Sequence, residues 1–131
     1  MPLLPASMLP AMAASGARTV AQMRDQRRVL LIAAPAADDP RLRAQRATLA
    51  SWSKGATDRD VIVVELVGRT TSGAADDPAS LRARFHLLPS SFAVVLIGKD
   101  GHEAYRSAAP VTAQMLQGTI DAMPMRRAGQ R

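Results

Sequence analysis

The chain has no cysteine. That single absence excludes disulfide frameworks, thiolate metal sites, iron–sulfur clusters and every mechanism built on a cysteine nucleophile. Aromatic residues are almost as scarce, being limited to Trp52, Tyr105, Phe85 and Phe92. A core must therefore be assembled from Val, Leu, Ile, Ala and Met, and no series of rings is present on which nucleic-acid bases would stack. No run approaches the roughly twenty apolar residues that span a bilayer, so no membrane span is expected. Histidine occurs only at His86 and His102, with no ligand-like spacing between them, and no metal site is predicted.

Basic residues outnumber acidic ones, giving a net charge of +6, but the excess sits at the termini. Residues 1–28 carry Arg18, Arg24, Arg27 and Arg28 against Asp25, and residues 122–131 carry Arg126, Arg127 and Arg131 against no acid. The stretch 29–121 holds ten basic and ten acidic residues and is neutral. A nucleic-acid-binding body concentrates its basic side chains on one face. This distribution argues against a specific nucleic-acid partner.

What is present is the composition of one globular domain, at 131 residues long enough to bury a core without disulfides. Residues 1–19 read as a leader or disordered segment, 20–125 as the domain and 126–131 as a basic tail. The opening MPLLPASMLPAMAASGA has the small and apolar residues of an export signal. It lacks a basic start, and Pro5 and Pro10 interrupt it, leaving a non-structural leader or a signal remnant as the two readings.

Val29 to Ala33 is an uninterrupted apolar run, as expected of a strand covered on both faces. Asp38-Asp39-Pro40 then opens a helix, with Asp39 as N-cap and Pro40 at the first helical position. Leu42, Leu49 and Trp52 mark its inner side, and it is predicted to stop by Gly55. Val61 to Val67 is a second β-branched strand, completing a βαβ unit. Gly68 to Ala75 reads as a loop, and Asp76-Asp77-Pro78 repeats the helix-start chemistry for a short helix through Phe85. Phe92 to Ile97 forms a third strand, Gly98-Lys99-Asp100-Gly101 a hairpin turn, and His102 to Ser107 a polar edge strand. A last helix follows Pro110 and Thr112, with Met115, Leu116, Thr119, Ile120 and Met123 on one apolar face and Pro124 as its end.

The predicted fold class is α/β: a thioredoxin-like three-layer sandwich whose four-stranded mixed sheet runs second, first, third, fourth. A sandwich of different strand order is the alternative. In the thioredoxin-like arrangement the redox dithiol sits between the first strand and first helix, where a helix N-terminus stabilises a thiolate. Here Ala36-Ala37-Asp38-Asp39 occupies that place. Capping explains the two carboxylates, and a ligand or partner contact for Asp38 is the competing function. Leu88-Pro89-Ser90 precedes the third strand, where such folds carry a proline that is often cis and a backbone that pairs with extended peptides. Asp38, Asp39, Leu88, Pro89 and Ser90 are therefore the candidate binding groove.

Several segments also resemble a known family: Arg28-Val29-Leu30-Leu31 through Ala34-Pro35, Asp38-Asp39-Pro40-Arg41-Leu42 with Gln45, Arg59-Asp60-Val61, Phe92 through Gly101, and Ile120-Asp121-Ala122-Met123-Pro124-Met125-Arg126. Over about residues 20–127 the chain resembles the bacterial domain of unknown function 4174, related to a domain of sushi-repeat and matrix proteins. The resemblance implies a thioredoxin-like or peroxiredoxin-like fold, often exported, with no established activity. Two departures are an aromatic missing near Ala33 and an acidic-methionine ending replaced by Ala128-Gly129-Gln130-Arg131.

No catalytic residue and no cofactor are assigned. Gly98 to Gly101 lacks the spaced glycine and the Ser or Thr of a phosphate loop, and no nucleophile elbow supports a Ser-His-Asp grouping. The function expected is a non-enzymatic binding module with a protein or peptide partner, periplasmic or secreted, with the cytoplasm as the other compartment. The alternative is an oxidoreductase-related protein whose redox group comes from a partner or cofactor.

Overall fold

Every residue of the first strand, β1 (Arg28–Ala34), is buried. In the computed structural model, which describes residues 18–129, this strand lies at the centre of a five-stranded mixed sheet. The other strands are β2 (Val61–Val67), β3 (Thr70–Ser72), β4 (Ala93–Ile97) and β5 (Glu103–Ser107), in spatial order β3-β2-β1-β4-β5. β1 and β2 are parallel, in register from Arg28↔Val61 to Ala34↔Val67, and the other three pairings are antiparallel.

The alternation of side chains along β1 splits the core in two. Val29, Leu31 and Ala33 face one layer with Val95, Ile97, Leu81, Phe85 and Met23. Leu30, Ile32 and Ala34 face the other, with Leu42, Trp52, Phe92, Leu116 and Ile120. Helices cover both faces, and each fully buried Leu or Ile contributes roughly 1.5–3 kcal/mol relative to exposure.

The helices are α1 (Pro40–Ser51), α2 (Ser53–Asp58), α3 (Pro78–Phe85), α4 (Ala113–Asp121) and α5 (Pro124–Arg127). Both Asp-Pro starts behave as expected: Asp39 accepts from the Arg41 N–H and Asp77 from the Ser80 N–H, each with proline in the first turn. Thr112 caps α4 through the Met115 N–H. Gln45 is fully buried on α1 and makes a two-way bond with Val111, accepting from its N–H at 2.7 Å and donating to its carbonyl at 3.0 Å. That pair ties α1 to the segment that enters α4.

Four sequence expectations need correction. The sheet has a fifth strand, because Gly68 adopts φ +58° and turns the chain at Gly68-Arg69, so that Thr70 pairs back onto Val67. The first helix ends at Ser51, before Gly55 as expected, but a separate helix that was not expected, α2, follows and runs through Gly55. A Cβ at Gly55 would lie 2.3 Å from Trp52 Nε1, so glycine is what lets α2 close over the indole. Met115 is 46% exposed and does not join the buried face of α4. Pro124 opens α5 instead of merely ending α4.

Among the described residues no helix is long and apolar enough to cross a membrane. The leader expected over 1–19 falls on residues of which 1–17 lie outside those described. Within the C-terminal segment 126–131, Arg126 and Arg127 are helical in α5, and residues 130 and 131 lie outside the described residues.

Candidate functional site

β1 leaves the sheet at Ala34-Pro35, and a turn from Ala36 to Asp39 delivers the chain to α1, the Asp39 N–H donating to the Ala36 carbonyl at 3.2 Å. Asp38 is exposed on this turn, whereas Asp39 is buried. Besides capping the helix, Asp39 receives the Arg41 guanidinium at both oxygens, Nε to Oδ1 at 3.0 Å and Nη2 to Oδ2 at 2.7 Å. These bonds from Arg41 outweigh the desolvation that burial imposes, and the Asp39 carboxyl is lowered to about 2. Asp39 is committed to the fold.

Arg41 does more than pair with Asp39. Its guanidinium carbon lies 5.2 Å from the centre of the Phe92 ring, within cation–π range. Phe92 follows the Leu88–Ser91 loop and enters β4, whose Ala93 pairs with Ala33 at the same end of the sheet. The start of α1 and the loop before β4 therefore meet through Arg41 and Phe92.

On that loop Leu88 is 66% exposed, and Pro89 and Ser90 are exposed beside it. Pro89 is trans. The Leu88 carbonyl accepts from the Ser91 N–H at 3.2 Å and from Arg82 Nη1 at 3.4 Å. Arg82 is buried and also donates to the Gly68 carbonyl at 3.0 Å, pinning the loop to the turn after β2. Both lone pairs of the Leu88 oxygen face internal donors, so a ligand would meet the side chain of Leu88 and not its carbonyl.

The Gly98–Gly101 stretch is a turn, with the Gly101 N–H on the Gly98 carbonyl at 3.0 Å and Gly101 at φ +83°. Lys99 folds inward from it, 8% exposed, onto Asp60 at 2.8 Å. His86 and His102 are exposed and border one cleft with Arg84, Asp100 and Glu103. Among the described residues no group of three or more His, Asp or Glu side chains is placed to hold a metal ion.

At the opposite end of β1 lies a cluster that sequence reasoning did not assemble. Arg59 makes a bidentate pair with Asp121 at 3.0 and 3.1 Å and lies 5.9 Å from the Trp52 ring centre. Arg126 reaches Asp121 at 3.3 Å and Asp58 at 2.6 Å. Asp60 holds Lys99, with Arg27 at 3.8 Å. Arg28, 1% exposed, donates from Nη1 to the Arg59 carbonyl at 2.6 Å and from Nε to the Met123 thioether at 3.3 Å. Burial first, and the Arg126 charge second, lower the pKa of this guanidinium. The signal was available, since Arg28, Arg59-Asp60, Lys99, Asp121, Met123 and Arg126 all belong to the segments that carry the family resemblance.

Comparison with known proteins agrees with that resemblance. The chain is 34% identical to the sushi repeat-containing protein SRPX of Rattus norvegicus, and 33% identical to that of Homo sapiens, over 125 residues in each case. The aligned region is 86% of this chain but 27% of each relative, so the chain spans about a quarter of the curated relatives it matches. Residues 19–129 match the family described as Domain of unknown function (DUF4174), and the chain belongs to that family.

Proposed function

We propose that this domain is a thioredoxin-like, non-enzymatic interaction module that works in the periplasm or outside the cell and binds an extended peptide segment of a protein partner. The observation that carries the reading is the end of the sheet where α1 begins. A frame of buried Asp39 and Phe92 joined by the half-exposed Arg41 fixes the surface there, and Leu88 and Asp38 stand exposed on its two sides. An exposed leucine on a rigid loop offers an apolar anchor, and a carboxylate nearby selects for a basic neighbour. The strand order β2-β1-β4-β5 supports the thioredoxin-like comparison, and the absence of any thiol argues for binding over redox turnover. The family resemblance supports an extracytoplasmic location.

The test is fluorescence anisotropy on the full chain with a panel of extended peptides that place one apolar and one basic residue on the same side. Leu88→Asp and Asp38→Lys should each weaken the best peptide about tenfold, or about 1.4 kcal/mol, at unchanged thermal midpoint. Wild-type affinity in both variants would sink the proposal. Turnover above a blank in a thiol-coupled assay would instead favour the oxidoreductase reading.

A further inference from the structure

Arg28 presents an unusual electrostatic situation. A buried cation is normally neutralised by a carboxylate, because taking an isolated charge out of water costs several kcal/mol. Here the nearby carboxylates are engaged by other groups: Asp58 by Arg126, Asp60 by Lys99 and Arg27, Asp121 by Arg59 and Arg126, Glu103 by Arg106, and Asp100 by the His102 N–H. The acceptors that Arg28 has among the described residues are a backbone carbonyl and a thioether. A thioether is a weak acceptor, and a guanidinium has five N–H donors. The charge is buried and hydrogen-bonded in part, and among the described residues it has no direct ion pair, with Asp60 and Asp121 acting on it only through space.

It also borders a cavity. Arg28 and Lys99 are on its lining, and Ala104, Met123, Pro124 and Met125 supply apolar surface. Asp100 and Glu103 stand on the same lining. Met125 is 39% exposed, and flexible thioethers adapt their shape to an apolar guest. A guanidinium beside an apolar wall matches a carboxylate with a hydrocarbon body. The neighbouring acidic side chains disfavour an occupant with more than one negative charge.

We propose that this cavity binds a small organic monocarboxylate, with the carboxylate on the Arg28 guanidinium and the apolar body against Met123, Pro124 and Met125. The site lies at the other end of β1 from the proposed peptide surface and stands or falls independently of it.

The test uses the full chain with its methionine methyl groups carbon-13 labelled, titrated with hexanoate while methyl NMR is recorded. The Met123 and Met125 signals should shift saturably, while that of Met23, buried in the opposite core layer, stays in place. Hexanamide, of nearly the same shape without the charge, should bind at least about tenfold more weakly. Inorganic phosphate should not displace hexanoate. Because Arg28→Met risks the fold, Met125→Glu, at an exposed wall, supplies a competing internal carboxylate and should abolish the shift of Met123. No saturable shift with hexanoate, equal binding of hexanamide, displacement by phosphate, or unchanged binding in Met125→Glu would each overturn the proposal.

Discussion

The two ends of β1 are both rich in arginine and aspartate, yet they are built on different principles. Where β1 hands over to α1, the central ion pair is local: Asp39 and Arg41 are two residues apart, and Arg41 remains 47% exposed. Where β1 begins, the pairs are long-range, joining Arg59 to Asp121 across 62 positions and Arg126 to Asp58 across 68. The first end is a finished surface with exposed groups standing on it. The second is a clamp that fastens α4 and α5 to the turn before β2, with one buried cation, Arg28, that has no direct ion pair among the described residues. The segments that carry the family resemblance reach both ends, Asp38 to Leu42 and Phe92 at the first and Arg59-Asp60, Lys99 and Ile120 to Arg126 at the second.

The largest effect should come from a site belonging to neither end, which calibrates the comparison. Gln45→Ala leaves the Val111 N–H and carbonyl buried without their partner and opens space beneath α1. A loss on the order of 3 kcal/mol is expected, combining unsatisfied polar groups with a cavity. Urea unfolding monitored by Trp52 fluorescence measures it. A loss below that of Arg59→Ala would show that the Gln45 bonds matter less than the clamp.

Arg59→Ala comes next. It removes the bidentate bond to Asp121 and the contact on Trp52, from a side chain only 11% exposed. Charged hydrogen bonds of this kind contribute about 1.5–3 kcal/mol, and Arg126 still reaches Asp121, so about 2 kcal/mol is expected. Arg41→Ala at the other end should cost clearly less, because its guanidinium is half in water. Equal losses would erase the distinction between the two ends.

What the sequence revealed follows the same division. The run Val29–Ala33, the Asp39 and Asp77 caps and the Asp100-Gly101 turn were legible because each signal lies within a few consecutive residues. Strand β3 was missed because Thr70–Ser72 is three residues long and polar, with only a glycine turn before it. Helix α2 was missed because Gly55 argues against a helix locally, and its benefit depends on where Trp52 packs. The candidate groove residues lie beside α1 and β4, but the contact that joins the two, Arg41 with Phe92, was not read from the sequence. The clamp residues stand in the segments that carry the family resemblance, but spacing rules do not relate residue 58 to 126 or 59 to 121, so nothing in the sequence joined them. Only the sheet brings them together.

The smallest effect, and the sharpest test of local against long-range construction, is the acid titration of Asp39 and Asp121. Both carboxyls are lowered, Asp39 to about 2 chiefly by the Arg41 hydrogen bond, and Asp121 chiefly by that from Arg59, with Arg126 assisting. A carboxyl depressed in the folded state binds its proton more readily when unfolded, so its stabilisation is complete above the ordinary Asp value of 3.8 and is lost as pH falls through the folded one. For Asp39 that window runs from about pH 5 down to about pH 2. Arg41→Ala should raise the Asp39 midpoint toward 3.8, because it removes the side-chain bond that outweighs desolvation. Arg126→Ala should raise Asp121 only slightly, since Arg59 remains. Carbon-13 carboxyl NMR reads both midpoints in one titration. If Asp39 titrates at its ordinary value in the wild-type chain, the Arg41 pair does not hold in solution, and the fixed frame beneath the proposed peptide surface is lost with it.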